Sequence, residues 1–162
     1  MSADRIPLPD VGDVVLDTVE DTEAFGRRLA HSFSAGDLVV LAGPLGAGKT
    51  ALTRGIAAGL GVQGRVTSPT FVIARAHAPG ERPDGRPPVG MVHVDAYRLG
   101  DSGPHALDEL DALDLDTDLT AAVVVVEWGE GVVEHLAERH LRITLQREPE
   151  SDVRTARWEW VS

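Results

Sequence analysis

The sequence from Gly43 to Thr50 reads GPLGAGKT and matches the pattern G-x-x-x-x-G-K-[ST] at every fixed position. The apolar run Leu38 to Ala42 before it predicts a short buried strand, and Ala51 to Leu60 after it predicts a helix. In such a loop the glycines let successive backbone N–H groups face phosphates, while the final hydroxyl is offered to magnesium. This strand–loop–helix context predicts a nucleotide-binding loop and therefore an α/β fold.

Lys49, within this loop, is the only lysine of the sequence, and the other fourteen basic residues are arginine. A chain that uses arginine everywhere else and lysine here indicates that this position requires an ammonium group. A compact charge on a flexible stem lies along a triphosphate more readily than a planar guanidinium does. The composition thus strengthens the interpretation of the loop.

The 162 residues carry a formal net charge of −11 and predict a single domain, residues 1–162. This charge opposes binding of the chain alone to a nucleic-acid backbone or an anionic membrane, since both need clustered positive charge. Cysteine is absent, which excludes disulfides and cysteine-ligated metals. The first nine residues lack the apolar stretch of a signal peptide, and the longest apolar run, Ala121 to Val126, is too short to span a bilayer. We therefore expect a cytoplasmic protein.

The segments around the loop predict further helices and strands. Thr22 to Phe33 has the spacing of an amphipathic helix. Phe71 to His77 and Val89 to Val94 predict strands on either side of Ala78 to Pro88, whose proline, glycine and arginine content predicts a flexible surface loop. Both strands would join the sheet that the loop strand begins.

The C-terminal half predicts the character of that sheet. Ala121 to Val126 shows no alternation, which indicates a strand buried on both faces of a largely parallel sheet. Leu141 to Gln146 and Arg154 to Val161 alternate and predict an antiparallel hairpin across Glu148 to Asp152. The expected fold is an α/β three-layer sandwich of the P-loop NTPase type, with a central, largely parallel (mixed) sheet and a C-terminal antiparallel hairpin.

Two acidic residues follow predicted strands, and a phosphate loop needs such a neighbour to hold magnesium directly or through water. Asp95 comes after Met91 to Val94, and Glu127 comes after Val123 to Val126. Both would project at the carboxyl edge of the sheet, where open α/β folds bind ligands. Spacing does not choose between them, and either could be a strand-end charge that meets solvent.

The segment Thr67 to Phe71 offers three hydroxyls shortly after the loop's helix. Segments in this position can sense a γ-phosphate, ordering with it and loosening after hydrolysis. Ser68 and Thr70 are the candidates for that role. The alternative is a plain turn whose shape Pro69 fixes.

A polar cluster and an aromatic residue complete the set. In the run His93-x-Asp95-x-Tyr97-Arg98, the first three side chains would share one side of an extended segment. They could form a catalytic cluster or only a polar strand edge. Trp128, directly after the acidic strand end, could be a lid, a partner anchor or a core residue.

Together these segments resemble the bacterial TsaE family, the ATPase required for threonylcarbamoyladenosine formation in tRNA. The family pattern joins an early T-x-x-x-G helix, G-[DN]-L-G-A-G-K-T, S-P-T-[FY], H-x-D-x-Y-R and E-W. Here these are Thr22-x-x-x-Gly26, Gly43 to Thr50, Ser68 to Phe71, His93 to Arg98, and Glu127-Trp128. A lone phosphate loop occurs in many unrelated activities, whereas this ordered set is specific.

The resemblance implies a protein that hydrolyses ATP slowly and acts with TsaD and TsaB, which transfer the threonylcarbamoyl group to the adenosine beside the anticodon. The implied ligands are ATP and Mg²⁺, tRNA is reached only through the partners, and neither DNA nor a membrane is involved. By likeness Thr50 and Glu127 would ligate magnesium, and Asp95 would position or activate the attacking water. Lys49, Asp95 and Glu127 are therefore the expected catalytic set, with Glu127 chosen for the metal by likeness alone. The implied nucleotide-binding residues are Val19, Thr22, Pro44, Leu45, Gly46, Ala47, Gly48, Lys49, Thr50, Ala51, Ser68, Thr70 and Trp128, with Val19 to Thr22 bordering the adenine.

Two segments depart from the family pattern. Pro44 replaces the usual Asp or Asn and removes a side chain and an N–H from the loop. We expect nucleotide binding to survive this change with an altered affinity or loop stiffness. Ala74 to Pro88 lacks the customary tyrosine and carries extra proline and arginine, which bears on the partner contact there.

Two other functions fit a phosphate loop. A small-metabolite kinase could use Arg82 and Arg86 in the flexible loop as a lid over the transferred phosphoryl group, although no acceptor pocket can be recognised from the sequence. A pure ATP sensor would bind the nucleotide and never hydrolyse it. A signalling GTPase is excluded, because its N-K-x-D signature cannot occur in a chain without asparagine.

Overall fold

Seven strands of the chain form one mixed sheet. The computed structural model describes residues 9–43, 47–64, 66, 74–95, 122–127, 139–151 and 153–161. Its elements are β1 (Val11–Leu16), α1 (Val19–Ala30), β2 (Leu38–Ala42), α2 (Lys49–Leu60), β3 (Ala74–His77), β4 (Gly90–Asp95), β5 (Ala122–Glu127), β6 (His140–Arg147) and β7 (Arg154–Val161). The strand order is β1-β7-β6-β2-β5-β4-β3.

The centre of the sheet is parallel and its edges are antiparallel. β6, β2, β5 and β4 are parallel neighbours, whereas β7 runs antiparallel to β6 and β1, and β3 runs antiparallel to β4. The predicted mixed sheet and C-terminal hairpin are thus confirmed. Because parallel strands end at a common edge, the carboxyl ends of β2, β4 and β5 lie side by side.

The central strands are buried on both faces, as their unbroken apolar sequences predict. All six residues of β5 are buried, and the strand runs one residue further than predicted, so that it includes Glu127. On one face Val39, Leu41, Val123 and Val125 pack in the core cluster with α1 and α2. Leu38, Val40, Val124 and Val126 lie on the other face and are buried as well. The predicted helix layer over that second face falls on residues outside the described ranges.

Helix α1 begins and ends three residues earlier than the apolar spacing predicts. Thr18 caps it, because its Oγ1 accepts a hydrogen bond from the Asp21 N–H at 3.0 Å. Phe25 and Leu29 face the core from the helix, while Phe33 is buried in the turn that follows it. The spacing therefore identified the buried face correctly and misplaced the helix ends.

Glycines bring α1 and α2 into close contact along parallel axes. A Cβ added at Gly26 would lie 2.5 Å from the Leu52 oxygen, and one added at Gly55 would lie 2.1 Å from the Glu23 oxygen. The contacts advance in the same direction along both helices, so their N-termini share one end of the pair and their C-termini share the other. A helix of twelve residues, as α2 is, separates these ends by about 18 Å.

The loop from Ala78 to Pro88 is anchored, and the prediction of a flexible loop was wrong. Arg82 is only 5% exposed, and its Nη2 donates to the Ala30 and Phe33 oxygens at 2.8 and 2.7 Å. Arg86 donates to the His31 oxygen at 2.7 Å. The two arginines therefore bind this loop to the last residue of α1 and to the turn that follows it.

Strand β1 has no counterpart in the sequence predictions. It pairs with β7 at an edge of the sheet, and its Val11 and Val15 are exposed while Leu16 is buried. Gly12 meets Trp158 of β7 so closely that an added Cβ would lie 2.4 Å from its ring. Among the helices of the described ranges, none is long and apolar enough to cross a bilayer.

Candidate nucleotide-binding site

The phosphate loop joins the end of β2 to the start of α2, and a glycine with a positive φ lies at each end of it. Gly43 has a φ of 143° and Gly48 a φ of 103°, which residues with a Cβ rarely adopt. A Cβ at Gly43 would also lie 2.4 Å from the Leu145 oxygen. Ala47 is fully buried beside them, and Pro44, Leu45 and Gly46 lie outside the described residues.

Lys49, the first residue of α2, holds its ammonium group against the loop. It is only 6% exposed, and its Nζ donates to the Gly43 oxygen at 2.7 Å. A buried ammonium is costly without partners, so this bond keeps the charge at the mouth of the loop. The role of this lysine at the phosphates stays a prediction.

The N-terminus of α2 is built to face an anion. Gly48 caps the helix without a side-chain hydrogen bond, and no acidic residue occupies the first turn of this helix. The first N–H groups of a helix lack intrahelical partners and carry the positive end of its dipole. Thr50 and Ala51 lie half-buried in this first turn. The arrangement suits a phosphate group.

Glu127 ends β5 beside the loop strand. Its backbone is in register with Leu41 of β2 on one side and Asp95 of β4 on the other. The side chain of Glu127 is 5% exposed, and its Oε2 lies 3.5 Å from the Nε2 of His93. The two acidic positions are therefore neighbours at the carboxyl edge, as predicted, while the side chain of Asp95 is outside the described set.

Several buried polar atoms at this edge have no hydrogen-bond partner within the described part of the chain: Glu127 Oε1 and both ring nitrogens of His93. Each such group costs about 1–3 kcal/mol when it stays unpaired. A buried carboxylate oxygen is also the donor that Mg²⁺ takes, usually with substrate phosphates and water completing its shell. The buried Glu127 carboxylate thus has the chemistry of a magnesium ligand. The described residues contain no cluster of three or more His, Asp or Glu that could hold a metal by itself.

The N-terminus of α1 lies next to the loop. A Cβ at Gly48 would be 3.8 Å from the Cγ2 of Thr22, which is buried. One turn earlier, Val19 is 46% exposed. This end of α1, whose first turn also carries Glu20 and Asp21, therefore lies beside the loop. The resemblance to the family implies that it borders the adenine.

Comparison with known proteins identifies the family. The family model described as threonylcarbamoyl adenosine biosynthesis protein TsaE matches residues 16–156. The chain belongs to the TsaE family. The resemblance stated from its motifs is thereby confirmed.

Similar proteins cover most of the chain. The tRNA threonylcarbamoyladenosine biosynthesis protein TsaE of Mycobacterium tuberculosis is 55% identical over 157 residues, which is 96% of this chain and 91% of that protein. The protein of the same name from Streptomyces coelicolor is 61% identical and covers 75% of this chain and 76% of its own length. The crystal structure of Bacillus subtilis YdiB matches with a TM-score of 0.66 and 29% identity, over 96% of this chain and 90% of that one.

Arg154 lies beside the phosphate loop, and the sequence reasoning missed it. Its Nε would be 3.7 Å from a Cβ added at Gly48, on the same side of the loop as Thr22. Arg154 begins β7, and a strand antiparallel to β6 begins at the edge where β6 ends. The hairpin prediction together with the strand order would have placed this arginine at the carboxyl edge.

Other residues of the TsaE motifs fall outside the part of the chain that the structure describes. Ser68, Thr70, Tyr97, Arg98 and Trp128 lie outside the described residues. Their assigned roles stay predictions.

Proposed function

We propose that this chain binds ATP, hydrolyses it slowly, and serves tRNA threonylcarbamoyladenosine biosynthesis in the cytoplasm together with TsaD and TsaB. The names of its TsaE relatives support the pathway. One observation carries the ATP part. The buried Lys49 ammonium and the buried Glu127 carboxylate stand at the ends of two neighbouring parallel strands, β2 and β5.

The proposed binding roles follow from this edge. Lys49 and the N–H groups of the loop bind the phosphates, and Thr50 and Glu127 hold Mg²⁺. When bound, the ion neutralises phosphate charge and fixes the phosphate oxygens. Val19 and Thr22 border the adenine. The roles of Ser68, Thr70 and Trp128 at the γ-phosphate end remain part of the proposal.

The proposed reaction is an in-line displacement by water at the γ-phosphorus. A new bond forms between the water oxygen and phosphorus, while the bond from phosphorus to the bridging oxygen breaks and releases ADP. Asp95 positions the water and accepts its proton, and the Lys49 ammonium stabilises the charge that develops on the phosphate oxygens. The products are ADP and inorganic phosphate.

The charge of the chain supports a partner-dependent role. A formal net charge of −11 opposes independent binding to tRNA, so the partners hold the tRNA in this proposal. The kinase alternative uses Arg82 and Arg86 as a lid over the transferred phosphoryl group. Both arginines are instead bonded to the C-terminal end of α1. That end lies about 18 Å from the loop along α2.

Phosphate release from γ-labelled ATP tests the proposal, first with the chain alone and then with TsaD, TsaB and tRNA. We expect slow release from the chain alone, and faster release in the mixture together with modified tRNA. Label found on a small molecule with little free phosphate would identify a kinase. ATP binding without phosphate release, both from the chain alone and in the mixture, would identify a sensor.

A further inference from the structure

His93 is a buried polar residue in an otherwise apolar strand interior. Met91, Val92 and Val94 surround it along β4, and all of them are buried. His93 is fully buried, and neither ring nitrogen has a hydrogen-bond partner in the described ranges. Buried polar groups in proteins are nearly always paired, so this one requires an explanation.

The position of His93 supplies that explanation. In the sheet it is paired with Val125, two residues before Glu127 on β5, so both side chains lie on the face that α1 and α2 cover. Its Nε2 is 3.5 Å from Glu127 Oε2, and Glu127 Oε1 has no partner in the described part of the chain. The imidazole is thus the neighbour that can fix the orientation of this carboxylate.

We propose that His93 is a positioning residue whose imidazole donates its Nε2–H to Glu127 Oε2 and thereby presents the carboxylate to Mg²⁺. This inference rests on the proposed ATP and magnesium site. A movement of about half an ångström would bring the two atoms to the usual hydrogen-bond distance.

A mere core-filling role makes different predictions from a positioning role. Groups that orient a metal ligand typically change metal affinity about tenfold to a hundredfold when they are removed. A core residue changes stability and leaves the metal's contribution to nucleotide binding unaltered. The quantity to measure is therefore the ratio of nucleotide affinities with and without Mg²⁺.

Two polar substitutions of similar size separate these roles. Glutamine places its amide nitrogen where the imidazole carries Nε2, whereas asparagine reaches only the position of Nδ1. We expect His93→Gln to keep most of the Mg²⁺-dependent gain in affinity for a fluorescent, non-hydrolysable ATP analogue. We expect His93→Asn to reduce the Mg²⁺-dependent gain in affinity at least about tenfold. Affinity in EDTA should be unchanged in both.

His77 provides the matched control. It is a second buried histidine on the same sheet, its Nδ1 lies 2.9 Å from the Gln63 oxygen, and its Nε2 has no partner within the described ranges. His77→Asn should leave the Mg²⁺-dependent gain as it is. In addition, His93→Asn should add little to the loss caused by Glu127→Gln, because both changes remove one coupled interaction.

The outcomes distinguish this inference from the proposed function. Equal Mg²⁺ dependence in the native, His93→Asn and His93→Gln proteins would overturn the positioning role, as would full additivity with Glu127→Gln. A native protein that binds the analogue without any Mg²⁺ dependence, or not at all, would instead overturn the proposed site. Thermal unfolding of each variant shows whether it is folded under the binding conditions.

Discussion

The two ends of the α1–α2 pair satisfy their polar groups in opposite ways. At the C-terminal end, Arg82 and Arg86 donate to the carbonyls that close α1, so the chain completes its own hydrogen bonds there. At the N-terminal end, the first turn of α2 has no side-chain cap. There the buried Glu127 Oε1 has no partner in the described part of the chain. The loop from Ala78 to Pro88 thus bonds to the end of a neighbouring helix, whereas the phosphate loop leaves the first turn of α2 without a side-chain cap.

Arg82→Ala should have the largest effect and should act on stability alone. The Arg82–Asp84 pair is almost completely buried, and the substitution removes the cation beside this carboxylate and the donor to the Ala30 and Phe33 oxygens. We expect a loss of about 3–5 kcal/mol in the free energy of unfolding. Urea denaturation measures it. Nucleotide affinity of the folded fraction should not change, and a large change there would mean that the two ends are coupled.

Lys49→Ala should have the reverse profile. The variant loses charge-assisted contacts to the phosphates, so ATP affinity should fall about a hundredfold or more. Equilibrium binding of a fluorescent ATP analogue measures this. Arg54→Ala, which removes one exposed positive charge from the same helix, is the control and should bind normally. Intact ATP binding in Lys49→Ala would refute the assignment of the loop.

Gly55→Ala tests the close contact between α1 and α2. Its Cβ would be 2.1 Å from the Glu23 oxygen, so the helices must separate. We expect about 1–3 kcal/mol of destabilisation, measured by urea denaturation, with a weaker ATP affinity because Thr22 and Gly48 move apart. Ala58→Ser, at an exposed position of α2, should change neither quantity.

Arg154→Ala should weaken ATP binding by several-fold, in line with the loss of about 1 kcal/mol from one half-buried polar contact. Stability should change little. Arg157→Ala is the matched control on the same strand, because Arg157 is exposed. Equal affinities in both variants would remove Arg154 from the site.

The smallest effect is expected from Asp37, beside the arginine-anchored end. Burial raises the pKa of this carboxyl above 3.8, although the Ser34 N–H and nearby arginines oppose the shift. An acid with a raised pKa in the folded state stabilises the protein while protonated, and this contribution is lost as the pH rises through the folded pKa. The native protein should therefore lose stability as the pH rises above about 3.8, and Asp37→Asn should not show this loss. Urea denaturation at several pH values would detect it, and an unchanged pH profile would contradict the shift.

The sequence predicted those features that depend on neighbouring residues. The unbroken apolar run of β5, the alternation of β6 and β7, and the fixed residues of the loop are local patterns, and all of them appear at the predicted places. The Lys49 and Glu127 positions followed from the same patterns together with strand direction.

What the sequence could not predict depends on contacts between distant segments. The proline and arginine content of Ala78 to Pro88 predicts only the local backbone of this loop. Nothing in that stretch of sequence shows that the end of α1 lies close enough to accept hydrogen bonds from it. β1 contains Gly12 and Asp13, and it becomes a strand through its pairing with β7. Arg154 joins the site for the same reason, since only the order of strands brings it to Gly48.

The single lysine has a chemical consequence for experiments. Its side chain is the one ε-amino group in the sequence, and it is buried against Gly43 at the mouth of the loop. Acylating reagents modify lysine side chains, so the product at this residue can be identified in a peptide mass spectrum without competing lysine sites. A bound triphosphate would cover the amine. A decrease in the acylation of this buried amine when ATP is added would therefore report the occupancy of the loop, with no label attached to the nucleotide.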